Sequence, residues 1–127
     1  MSFIDNVLNF LYENSPTSYK VSARKICELY KTIKYQNPML SSKEIAFFTL
    51  SRRHALVKDG FSDEFISQII EESEDFEQFI LNTVFRELIL SFGEEKIGRL
   101  SDKTKIDVTR RILEEVYRQG LQNENWY

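Results

Sequence analysis

The chain of 127 residues has few of the residue types that small catalytic or disulfide-linked proteins depend on. It has one cysteine, one histidine, four glycines and two prolines. Because Cys27 has no second cysteine to pair with, a disulfide scaffold is excluded. Cys27 and His54 alone do not supply the thiolates and imidazoles of a tetrahedral zinc site. Neither of the common glycine-rich phosphate-binding motifs is present. We therefore predict no enzymatic activity, no cofactor and no bound metal.

Long apolar runs are also missing. The longest, 45–50, contains Thr49 and falls far short of the ~18 residues that a transmembrane helix needs. No basic residue precedes Lys20, whereas a secretory signal begins with a positively charged region. We expect a cytoplasmic protein that has no membrane partner.

The residues that are present favour a folded helical protein. Hydrophobic residues make up 42% of the chain and aromatic residues 13%, which argues against intrinsic disorder. Apolar residues recur at spacings of three and four, and no clean alternation typical of strands is found. We predict an all-α fold, a compact bundle of five or six helices forming a single domain over 1–127.

Capping residues and helix breakers place the predicted helices. The first covers roughly 2–14, the second runs from 18 or 22 to the residues before Pro38, and the third runs from 41 toward Gly60. The fourth runs from 62 to a kink or break at 71–75, the fifth covers 75–92, and the last runs from 101 or 102 to Gly120. The 75–92 helix has the widest apolar stripe, so we expect it to be central. In the last helix we expect Ile106, Ile112, Val116 and Tyr117 to face inward. Residues 120–127 form a C-terminal tail.

Charge is unevenly distributed along the chain. Residues 1–60 hold nine Lys or Arg against five Asp or Glu, whereas residues 61–127 hold eight against fifteen. The simplest interpretation is a pair of solvated faces, one basic and one acidic. A further hypothesis is that the acidic segment 63–77 mimics nucleic-acid phosphates, and so inhibits a nucleic-acid-binding partner. Its candidate contact residues are Glu71, Glu72, Glu74 and Asp75.

A weak helix-turn-helix pattern supports nucleic-acid binding as an alternative function. Ala46 occupies the small-residue position, and the turn would fall at Leu50, where glycine is usual. The following segment would present the side chains of Arg52, Arg53, His54 and Lys58. A single continuous helix over 42–58 explains the same residues, so this alternative stays open.

Surplus aromatic residues near the two ends favour a protein-binding function. In the first predicted helix the aromatic residues outside the apolar stripe are Phe3, Phe10 and Tyr12. Trp126 and Tyr127 end the tail, either as interface residues or folded back onto the chain's own core. We predict a small non-enzymatic protein that acts through protein–protein interaction as an adaptor, inhibitor or regulator. We also expect it to self-associate, with a homodimer as the simplest form.

Overall fold

A computed structural model describes residues 19–54, 62–92, 95, 98–99, 101–121 and 124–127. Within these residues the chain forms five α-helices and no strand. The helices are α1 (Tyr19–Gln36), α2 (Ser42–His54), α3 (Asp63–Glu72), α4 (Phe76–Phe92) and α5 (Asp102–Arg118). The predicted all-α bundle is therefore confirmed. The helix predicted for 2–14 lies outside the described residues.

Side-chain caps set the starts of three helices. Ser41 and Glu44 form a capping box before α2, in which each backbone N–H donates to the other residue's side chain at 3.3 Å. Ser62 Oγ accepts a hydrogen bond from Phe65 N at 3.2 Å, and Ser101 Oγ plays the same part before α5. These contacts satisfy N–H groups that the first helical turn leaves unpaired. The starts predicted from the sequence are confirmed.

The segment between α3 and α4 is a break. Ser73 leaves the helix with extended backbone angles (φ −94°, ψ 124°). Asp75 Oδ1 accepts a hydrogen bond from Gln78 N at 2.7 Å, and Gln78 Oε1 accepts one from Glu74 N at 2.7 Å. Since a new cap forms here, α4 is a separate helix and does not continue α3.

The core lies between α1 and the helices around it. The most extensive helix contacts are those of α1 with α2 and α5, while α4 packs against α1, α3 and α5. Tyr30 of α1 meets Phe76 of α4 with ring centroids 4.6 Å apart, and both side chains are buried. The 75–92 helix was predicted to be central, but α1 shares that position.

The inward face of α5 differs from the predicted one. Ile112 and Val116 are buried as expected, but Ile106 is 68% exposed and Tyr117 is also exposed. The buried positions of the helix are Thr104, Val108, Ile112, Glu115 and Val116. The buried face of α5 thus includes polar residues, and the buried carboxylate of Glu115 is paired with Arg118 of the same helix at 2.7 Å.

Candidate interaction surface

A cleft of about 880 Å³ lies between the end of α1, the α1–α2 connection, the start of α2 and the end of the chain. We call residues 121–127 the C-terminal strap. The cleft is lined by Lys31, Lys34, Tyr35, Pro38, Leu40, Ser42, Ile45, Gln119, Gly120, Leu121, Glu124 and Asn125. It thus joins segments that are about 90 residues apart in the sequence.

The polar side of the cleft is organised around Glu124, whose side chain is only 11% exposed. Its two carboxylate oxygens accept hydrogen bonds from Lys34 Nζ at 2.7 and 2.9 Å. Tyr30 OH donates to Oε1 at 2.9 Å. Burial is the main cause that raises the pKa of Tyr30, and the Glu124 carboxylate acts in the same direction. The Tyr30 hydroxyl therefore stays protonated and remains a donor.

Trp126 folds back onto the core, the second of the two arrangements expected from the sequence. It is 3% exposed, and its indole stacks on the Phe79 ring with centroids 5.4 Å apart. Trp126 Nε1 donates a hydrogen bond to the Ser73 carbonyl at 3.0 Å. Because the indole is buried and its N–H is satisfied, Trp126 is an anchor of the strap and does not offer an exposed contact. Tyr127 is 81% exposed, with Lys43 Nζ 4.3 Å from its ring centroid.

Two large apolar side chains project into solvent beside the cleft. Tyr35 is 89% exposed and Met39 is 95% exposed. They flank the end of α1 and Pro38, which restricts the backbone of the residue before it and so favours a turn over a continued helix. We call residues 35–39 the exposed corner. This corner is not among the contact residues predicted from the sequence, although an aromatic residue off the buried stripe of α1, followed by a proline turn, indicates it.

The acidic segment is exposed, but part of it has a structural role. Glu71 and Glu74 face solvent. Glu72 lies 3.7 Å from Arg86 of α4, and Asp75 caps the same helix. Two of the four proposed phosphate-mimicking residues, Glu72 and Asp75, therefore make contacts within the protein at the α3–α4 junction.

The helix-turn-helix interpretation fails at its turn. Helix α2 runs without interruption through Leu50, which is fully buried. Buried Leu50 belongs to the core face of one continuous helix, so 51–54 is not a separate recognition helix. Arg52 is exposed on α2. The side chains of Arg53 and His54, and all of Lys58, lie outside the described residues, as do Phe3, Phe10 and Tyr12.

Cys27 is a core residue. Its side chain is fully buried, and burial raises the pKa of the thiol to about 12. The thiol therefore stays protonated at neutral pH, where it behaves as a small apolar group. In the described part of the chain no group of three or more His, Cys, Asp or Glu is placed to hold a metal ion. Among the same residues, no helix has the length and apolar character to cross a membrane.

Compared with protein-family models, with curated proteins and with solved structures, the chain matches none of them.

Proposed function

We propose that this protein acts by binding another protein, as an adaptor, inhibitor or regulator, and that the exposed corner and the adjoining cleft form its binding surface. The observation that supports this most strongly is the exposure of Tyr35 and Met39 together beside a concave site. Single exposed apolar residues are common on protein surfaces, but apolar groups clustered beside a cleft are typical of interaction sites. Aromatic residues in such positions contribute much of the binding energy in many interfaces.

The charges around the cleft indicate the chemistry of the partner. Lys31 and Lys34 line the cleft, and Arg24 and Lys25 extend the exposed basic face along α1. Glu28 is the single exposed acidic residue of α1 over its described side chains, 21–36. Since Lys34 is already paired with Glu124, a complementary partner segment combines an apolar side chain, placed against the exposed corner, with a carboxylate that faces Lys31.

Affinity capture from the cell of origin, with and without nuclease, tests the proposal. The bait proteins are the wild-type chain, a Tyr35→Ala and Met39→Ala double variant, and Ile106→Ala as the matched control. Ile106 is 68% exposed but lies on α5, away from the residues that line the cleft. We expect a protein partner that survives nuclease, is retained by the control, and is reduced about tenfold or more by the double variant, as for loss of one interface hot spot.

Two results would overturn the proposal. One is equal capture of the partner by the double variant and the wild type. The other is a partner that disappears on nuclease treatment together with recovered nucleic acid, which would favour the basic surface around Arg52 instead.

A further inference from the structure

The C-terminal strap is bound as a short peptide would be bound. Its side chains enter separate places on the body of the protein: Glu124 meets Tyr30 and Lys34, and Trp126 stacks on Phe79. The described part of the strap, 121 and 124–127, is neither helix nor strand. The strap is therefore held mainly by side-chain recognition, and its pattern is a carboxylate two residues before a tryptophan.

Main-chain groups contribute two further contacts of the same kind. The Ser73 carbonyl accepts the indole N–H of Trp126, and Ser42 Oγ donates a hydrogen bond to the Asn125 carbonyl. These partners of Glu124, Asn125 and Trp126 come from α1, α2, α4 and the α3–α4 break, whereas Leu121 N donates to Val116 O of α5 at 3.2 Å. The groups that receive the carboxylate and the tryptophan therefore include no residue of α5. The strap of another chain, which carries the same carboxylate and tryptophan, can therefore contact the same groups of the groove.

A single turn connects the strap to α5. Gly120 adopts φ +78°, and a Cβ placed there would have no heavy atom within 4 Å. Glycine reaches positive and negative φ with similar ease, so a change of backbone angles at this one residue redirects the strap. Small backbone changes at such connections allow identical segments to be exchanged between protomers.

We propose that the groove also binds the C-terminal strap of a second copy, so that two chains exchange their straps and form a homodimer. Every copy carries a segment with the required carboxylate and tryptophan. Exchange keeps the contacts of Glu124, Asn125 and Trp126 and gives up the hydrogen bond from Leu121 N to Val116 O of the chain's own α5. The second chain has to approach across the cleft that Tyr35 lines, so we expect it to cover Tyr35 and the nearby Met39, which are exposed in the single chain. This additional apolar burial favours the dimer over the closed monomer. The inference rests on the proposed function, because it names a second copy as one partner of that surface.

Charge reversal of one contact tests the exchange. Lys34→Glu alone and Glu124→Lys alone each place like charges together, both within one chain and between two identical chains. In a mixture of these two variants, exchanged straps bring opposite charges together at both grooves. The double variant that carries both changes in one chain is the matched control, because its own strap is complementary to its own groove. Native mass spectrometry measures heterodimers, and emission from Trp126, the single tryptophan of the chain, reports strap binding.

We expect at least about tenfold more dimer in the mixture than in either variant alone, with Trp126 emission shifted back to shorter wavelength. A mixture that stays monomeric, while the double variant regains the wild-type emission, would show that the strap binds only within its own chain. That result would leave a different captured protein, dependent on Tyr35 and Met39, unaffected, so failure of the exchange is distinguishable from failure of the proposed function.

A second measurement covers the case in which the charge variants do not fold. The mass of the full wild-type chain is followed over increasing concentration, with and without an excess of a synthetic peptide of residues 121–127. We expect the mass to rise from monomer to dimer, and the peptide to return it to monomer. A peptide with alanine in place of the tryptophan is the control and should have no effect. A monomer at every concentration, or a dimer that the peptide leaves intact, would contradict the exchange.

Discussion

Replacement of Trp126 by alanine should destabilise the whole protein, although the residue is the second from the C-terminus. Truncation of a buried tryptophan or phenylalanine to alanine costs about 3–5 kcal/mol. The total free energy of unfolding of a domain is commonly only about 5–15 kcal/mol. Trp126→Phe retains a ring against Phe79 but leaves the Ser73 carbonyl without the indole donor. We therefore expect about 1–2 kcal/mol of destabilisation for this milder change.

Urea denaturation followed by circular dichroism measures these differences, since the variants have no tryptophan emission to follow. Tyr127→Ala is the matched control. This neighbouring residue is 81% exposed and contacts Lys43 at the surface, so its loss should cost no more than about 1 kcal/mol. If Trp126→Ala unfolds within about 1 kcal/mol of the wild type, the strap is not anchored in the core and the reasoning is refuted.

Three further predictions concern the backbone, a buried carboxylate and pH. Gly120→Ala should lower the free energy of unfolding by about 1–2 kcal/mol, because φ at this residue is +78°. Gly98→Ala is the control and should not lower it, because Gly98 is helical and a Cβ at either glycine meets no heavy atom within 4 Å. Ser22→Ala should cost about 1–3 kcal/mol, because it removes a hydrogen-bond donor from the buried Glu87 carboxylate; both changes are measured by urea denaturation, and no loss would contradict the contact. Burial raises the pKa of Cys27 from 9.0 to about 12, so the unfolded chain releases this proton first and stability should fall as pH rises above about 9. Cys27→Ala should reduce that fall in thermal denaturation at pH 8 and pH 10; an unchanged pH dependence would contradict a buried thiol.

The helix boundaries could be predicted from the sequence because their causes are local. Ser62 and Ser101 bind backbone groups three residues away, and the reciprocal contacts of Ser41 and Glu44 span the same short distance. A capping pattern therefore carries its own structural consequence, whatever the rest of the chain does.

The candidate surface could not be predicted in the same way, because distant segments create it. The position of Trp126 depends on the Ser73 carbonyl, 53 residues earlier in the chain. The cleft brings together Lys34 and Glu124, which are 90 residues apart in the chain and form an ion pair. Apolar periodicity likewise did not predict the exposure of Ile106, since the rotation of α5 is set by its contacts with the other helices.

In-cell photo-crosslinking from position 39 tests whether the exposed corner contacts another protein. A photoreactive amino acid replaces Met39 in the full chain, and a second chain carries it at Ile106 as the control. We expect a crosslinked protein of defined mass from position 39 and none of that mass from position 106. No crosslinked protein from position 39, or the same product from both positions, would contradict a binding surface at the exposed corner.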